Sequence, residues 1–126
     1  MGLFDAILGN ASEANVEEVA AELAPILADD ETLVYAAKEI RDMYVFTDRR
    51  LLLIDKQGVT GKKVEYHSIP YRAISHFIIE TTGHFDLDAE LKIWISGSDE
   101  AIEKELKGGE TTVAIQKALA NYALKK

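Results

Sequence analysis

Apolar positions recur at helical spacing at both ends of the chain and in alternation between them. In "NVEEVAAELAPILADD", Val16, Val19, Ala20 and Leu23 fall at i, i+3, i+4 and i+7, and Leu27 extends the stripe. This predicts a helix with Asn15 as cap, Glu18 as its reciprocal partner and Pro25 ending it near Ala24. From Glu31 the period changes to two. "TLVYAAKE", "RDMYVFT", "RRLLLID", "KKVEYHSI", "SHFIIETTGHF" and "DAELKIWIS" each read as a strand. "TDRR" is then a tight hairpin turn, and Pro70 interrupts pairing. In the sixth strand Leu91, Ile93 and Ile95 face one way, and Lys92, Trp94 and Ser96 the other. "EAIEKELK" fits a helix face as well as a strand face. Bracketed by Gly97 and Gly108-Gly109, it reads as a short last strand. Ile115, Ala118, Leu119 and Tyr122 make the stripe of a terminal helix, with Thr111 or Thr112 as its cap.

Seven short strands followed by one amphipathic helix predict a mainly β (α+β) domain, a barrel or sandwich whose open side the helix can plug. The boundaries expected are an N-terminal helical extension over 1–30 and a β domain over 31–126, together one globular unit. Within the extension, Leu3, Phe4, Ile7 and Leu8 are helically spaced, but the segment is too short to be stable undocked.

The charge is unevenly placed. Residues 1–31 hold eight acidic side chains and no Lys or Arg, which accounts for the whole net charge of −8. Residues 38–72 lean basic, with eight cations against five acids. An acidic whole argues against nucleic acid as the main partner. The basic stretch could meet an anion, or the acidic segment of a neighbouring subunit, or simply be solvated. There is no cysteine, so neither disulfides nor thiolate chemistry arise. The opening "MGLFDAILGN" lacks the basic and long apolar regions of a secretory signal, and no apolar run reaches the length of a membrane helix. The expected compartment is the cytoplasm.

Motifs that suggest chemistry fail on inspection. "LLLIDKQGVTGKK" begins like a phosphate-binding loop. However, Lys56 stands where its first glycine belongs, Lys63 replaces the metal-binding hydroxyl, and a strand follows where a helix is required. The loop reads as a hairpin connection. His67, His76 and His84 have no metal-motif spacing, and Asp86, Asp88 and Glu90 lack the rest of a calcium loop. Ser75 and His76, adjacent on a strand, are expected on opposite faces and hence not to form a dyad. No catalytic, cofactor or metal residues are expected. Trp94, on the face opposite the core stripe, is either covered by an adjoining element, or belongs to the core face with the two faces exchanged, or is an aromatic anchor at a protein interface.

Together, "FTDRRLLLIDKQGVTGKKVEYHSIPYRAISHF", "ETTGHFDLDAELKIWISG" and "IQKALANYAL" resemble the bacterial pleckstrin-homology (PH) domain family over about residues 30–124. The FT-x-x-R turn, ID-x-x-G-x-x-GKK, SIPY and G-x-FD-x-D-x-E occur in order. The resemblance implies a PH-like, seven-stranded antiparallel, partly open barrel capped by a C-terminal helix, with an N-terminal helical segment. It also implies ring-like homo-oligomers, pentamers, and no enzymatic activity or cofactor. The chain's partner is then expected to be itself, beside an unidentified protein partner, with Leu3, Phe4, Ile7, Leu8 and Trp94 as candidate interface residues. Eukaryotic PH domains often hold phosphoinositides on Lys and Arg around the first strand connections. "KEIRD" offers there only Lys38 and Arg41 among Glu39 and Asp42. Lys38, Arg41, Lys56, Lys62 and Lys63 are the candidate contacts for an anionic lipid or other anion, through which the chain could associate with a membrane.

Overall fold

The computed structural model describes residues 16–39, 42–57, 63–81, 88–107 and 109–124. Contacts within the chain gather into two compact units, Met1–Ile69 and Pro70–Lys126.

The first unit holds helix α1 (Val16–Leu23) and strands β1 (Leu33–Lys38), β2 (Asp42–Thr47), β3 (Arg50–Gln57) and β4 (Lys63–Pro70), which lie in that order in one sheet. α1 forms because Val19 and Leu23, one turn apart, can share a buried face. They pack on Ala36, Met43, Val45, Leu52 and Ile54, a single sheet face, with Ile26, Leu27, Leu33 and Val64 around them. The extension helix therefore docks on the sheet of its own chain. Tyr35, Tyr44, Phe46, Leu51 and Leu53 alternate with these residues and are equally buried. Both faces of the sheet are covered, so simple inside–outside alternation along Met43–Thr47 gives way to a continuous buried run. The β1–β2 connection is short: the Glu39 N–H donates to the Asp42 carbonyl at 2.7 Å. The cap expected at Asn15 and the segment of Leu3, Phe4, Ile7 and Leu8 lie outside the described residues.

The second unit begins with a single turn of 3₁₀ helix, Tyr71–Ala73, directly after Pro70 ends β4. Strands β5 (Ile74–Glu80), β6 (Ala89–Ile95) and β7 (Ile102–Leu106) follow in that sheet order. Leu91 and Ile93 of β6 are buried, as their alternation predicts. The ambiguous segment is a strand, with Ile102 opposite Ile93 and Leu106 opposite Ala89. Helix α2 (Glu110–Tyr122) buries Ala114, Ile115, Ala118 and Leu119. Tyr122, at its last turn, stacks on Tyr71 with ring centroids 5.2 Å apart.

One expectation needs correction. Neither threonine caps α2. Gly109 is the cap residue, at φ 68°, and no side chain accepts from the first turn. Glycine tolerates that left-handed backbone, so the helix begins at Glu110, two residues earlier than a Thr111 cap would set it, and Thr111 and Thr112 are buried within its first turn.

Candidate interaction surfaces

On the outer face of the β5–β6–β7 sheet, cross-strand register sets one aromatic pair. His76 lies opposite Trp94, and their rings stack with centroids 4.4 Å apart and planes 14° apart. Ile78, next but one along β5, faces the same way opposite Lys92 and is 43% exposed. Trp94 is half-buried, covered on one side by the imidazole. A neighbour on β5 thus covers part of this tryptophan, and the rest of it stays accessible.

A bulge between Ile74 and His76 shifts the register at Ser75. The rule that adjacent strand residues diverge fails there. The Ser75 Oγ sits 3.3 Å from His76 Nδ1 and donates to the Trp94 carbonyl at 3.1 Å. The hydroxyl proton is thus directed at a backbone acceptor, and the contact helps seat the imidazole against the indole.

The other end of this face is acidic. Glu80 and Glu90 are cross-strand partners, Glu105 follows on β7, and Glu103 lies opposite Lys92. Glu80, Asp88, Glu90 and Glu105 line an open concavity of about 390 Å³ with Thr81 and Ala89. Lys92 Nζ lies 3.1 Å from Glu80 and 3.8 Å from Glu90. Its hydrogen bond to Glu80, then the charges of Glu80 and Glu90, hold the ammonium above its usual range. Among the described residues, no group of three or more His, Asp or Glu is placed to hold a metal ion.

The candidate anion-binding lysines are partly brought together. Lys38 ends β1, Lys56 lies near the end of β3 and Lys63 starts β4; all three are exposed at one end of the first sheet. By alternation, Lys38 and Lys56 continue the face of Met43 and Ile54, while Asp42 and Asp55, paired across the strands, lie on the other. Arg41 and Lys62 lie outside the described residues, as does the Gly58–Gly61 loop. β4 begins at Lys63, where a phosphate-binding loop would start a helix.

The opposite end of that sheet holds a polar cluster that periodicity does not reveal. Arg50 donates through Nε to Glu31 Oε2 at 2.8 Å and through Nη2 to Oε1 at 2.9 Å. Its Nη2 also reaches the Ile26 carbonyl at 3.0 Å, and Nη1 reaches Ser68 Oγ at 2.8 Å. Thr47 Oγ1 donates to Glu31 at 2.6 Å and accepts from the N–H groups of Arg49 and Arg50, which closes the hairpin. The Ala28 N–H donates to Glu31 as well. Burial alone would raise the Glu31 carboxyl; the hydrogen bonds from Arg50, Thr47 and Ala28, with the Arg50 charge, outweigh it and lower the pKa from 4.5 to about 2. At the surface, Arg49 pairs with Asp30. The FT-x-x-R and SIPY motifs are thus the two ends of one structural cluster.

Seven antiparallel strands in two sheets, a C-terminal helix and an N-terminal helix define a PH-like fold whose strands do not form one closed sheet. The chain belongs to the bacterial PH domain family, whose model matches residues 2–123. It is 54% identical over 121 residues to the uncharacterized protein YjqA of Bacillus subtilis (strain 168), covering 95% of this chain and 97% of that one. It is 31% identical over 97 residues to the uncharacterized protein YvbH of the same strain, of which it spans about half, 48%. The crystal structure of a pleckstrin homology domain from Shewanella amazonensis SB2B superposes with a TM-score of 0.83 at 62% identity, covering 98% of this chain and all of that one. A DUF1696 family protein with a PH domain from Shewanella loihica PV-4 gives 0.79 at 61%, covering 91% and 98%. No helix among the described residues is long and apolar enough to cross a membrane.

Proposed function

We propose that this chain is a non-catalytic PH-like module that self-associates, in a ring-like homo-oligomer, and serves as a scaffold for protein interaction. The observation that carries the reading is the outer face of the second sheet. A half-buried tryptophan stacked on His76 and a 43% exposed Ile78 sit there together. An aromatic anchor beside exposed aliphatic surface is the composition of an interface centre. The test is the native molar mass by light scattering, against a chain of 14.0 kDa. A stable multiple that falls in Trp94→Ala, with the circular dichroism unchanged, supports the reading. A monomer at every concentration overturns it.

A second reading rests on the lysines gathered at one end of the first sheet, Lys38, Lys56 and Lys63. They offer an anionic lipid or another anion a cationic contact, each adding about 1 kcal/mol near a charged membrane. Co-sedimentation with vesicles containing about one third phosphatidylserine, lost in Lys56→Glu/Lys63→Glu, is the result expected of this reading. Binding that ignores the reversal counts against it.

A further inference from the structure

The sheet face that carries the proposed interface has a titratable ring fixed in it. His76 is exposed, yet two contacts hold it. Its imidazole lies nearly flat on the Trp94 indole, with centroids 4.4 Å and planes 14° apart, and its Nδ1 sits 3.3 Å from Ser75 Oγ. The Ser75 hydroxyl has one proton and donates it to the Trp94 carbonyl at 3.1 Å. Its oxygen is left to accept, so the hydrogen-bond pattern assigns the ring hydrogen of the neutral imidazole to Nδ1. The lone pair is then at Nε2, which meets no partner among the described residues. A second proton enters there. Its uptake keeps both the stack and the Ser75 contact, and it turns an outward neutral acceptor into an outward cationic donor.

The charged groups that surround the ring in this unit leave that new charge uncompensated. The cross-strand charge beside it is positive: Lys92 lies opposite Ile78, next but one along β5. Glu80 and Glu90 are engaged by Lys92 at 3.1 and 3.8 Å, Glu103 lies opposite Lys92, and Glu105 lies opposite Glu90. Arg72 stands in the turn before β5, and Asp99 and Glu100 stand between β6 and β7. Among the described residues, none of these carboxylates pairs with His76.

We infer that protonation of His76 weakens the self-associating contact, so that the assembly forms with the neutral ring and is released as the ring becomes charged. In the separate chain, water solvates the imidazolium. Under a partner the same cation would lose that water with Lys92 as its charged neighbour, whereas a neutral ring on an indole is covered at far smaller cost. The separate chain therefore binds more protons than the assembled one. Association weakens as the pH falls through the range where an ordinary imidazole changes charge, about pH 8 to 5. The inference rests on self-association through this face as the proposed function and adds the proton that controls it.

The test compares full-length wild type, His76→Gln and His67→Gln by light scattering over a dilution series at about pH 8 and about pH 5.5, above the titration of ordinary carboxylates. Glutamine keeps a polar side chain without a charge. His67, exposed on β4 of the first unit, is the control. One proton per contact changes the dissociation constant by at most ~10-fold for each pH unit. On acidification the constant should rise about 10-fold in wild type and His67→Gln, and less than ~2-fold in His76→Gln. Trp94 is the single tryptophan, so its emission reports the ring directly. A cationic ring stacked on the indole quenches it; wild-type emission should fall across this window, and that of His76→Gln should not. A wild-type assembly equally tight at both pH values overturns the proton control and leaves self-association standing. So does a His76→Gln variant with the full wild-type dependence, since another group is then the sensor. A wild type monomeric at every concentration at about pH 8 overturns both.

Discussion

Arg50 and Glu31, 19 residues apart in the chain, form a two-pronged ion pair whose side chains are 20% and 2% exposed. The pair stands where the segment after α1 meets the β2–β3 hairpin. Through Ile26 and Ser68 the same guanidinium also reaches the end of the helical extension and β4. It is the polar counterpart of the apolar contact that Val19 and Leu23 make with the sheet. The N-terminal extension is thus joined to its own sheet at two places, one apolar and one ionic.

Removing one partner leaves the other charge buried. Glu31→Ala is expected to lower the unfolding free energy by about 3–5 kcal/mol, the cost typical of stranding half of a buried pair. Replacing both residues, as Glu31→Leu/Arg50→Met, is expected to cost less than either single alanine, because no charge is stranded. Urea denaturation of the three variants is the measurement. Equal losses in the single and double variants would show that the pair does not act as a unit.

The same carboxylate sets an acid limit. Its pKa in the fold is about 2, below the 4.5 of the unfolded chain. A depressed carboxylate stabilises the fold fully above the unfolded value. That contribution falls away as the pH drops from about 4.5 towards 2. It amounts to about 3 kcal/mol at neutral pH. Stability measured across this window should decline in the wild-type chain. Glu31→Gln should start lower and decline less, and parallel curves would assign the acid sensitivity to other carboxylates.

Elements with a single exposed face were the legible part of the fold. The β6 alternation and the α2 stripe gave their true faces, because burial there follows one period at a time. Periodicity was least informative where both faces are covered, as in β2, and where a bulge breaks it, as at Ser75. Gly109 at positive φ displaced the expected threonine cap. Of the candidate site residues, Trp94 could be placed on its face from strand parity alone. Its stacking on His76 could not, because that depends on a register between strands separated by a loop. The Glu31–Arg50 pair left only the FT-x-x-R spacing as a trace, since sequence distance hides a contact between a loop and a hairpin.

The docking of α1 is testable at its two buried residues. Leu23→Ala removes a side chain that is 2% exposed and packs among Met43, Val45 and Ile54. The expected loss is about 2–5 kcal/mol, because the sheet face closes only partly over the space left. Val113→Ala, at an exposed position of α2, should change monomer stability by no more than about 0.5 kcal/mol. Urea midpoints at low protein concentration separate the two. A Leu23→Ala loss as small as that of Val113→Ala would mean that the extension contributes little to the fold.

Thr112 offers a change expected to stabilise. It is fully buried in the first turn of α2, and its Oγ1 meets no hydrogen-bond partner among the described residues. Burying a hydroxyl without a partner costs about 1–3 kcal/mol by mutational measures. Valine has the same branching and nearly the same shape, and its helix propensity is close to that of threonine, so the substitution isolates the hydroxyl. Thr112→Val is expected to raise the unfolding free energy by about 1 kcal/mol, seen as a higher urea midpoint at unchanged slope. A loss of similar size would show that Oγ1 has a partner in solution, an internal water or a backbone carbonyl of the first turn.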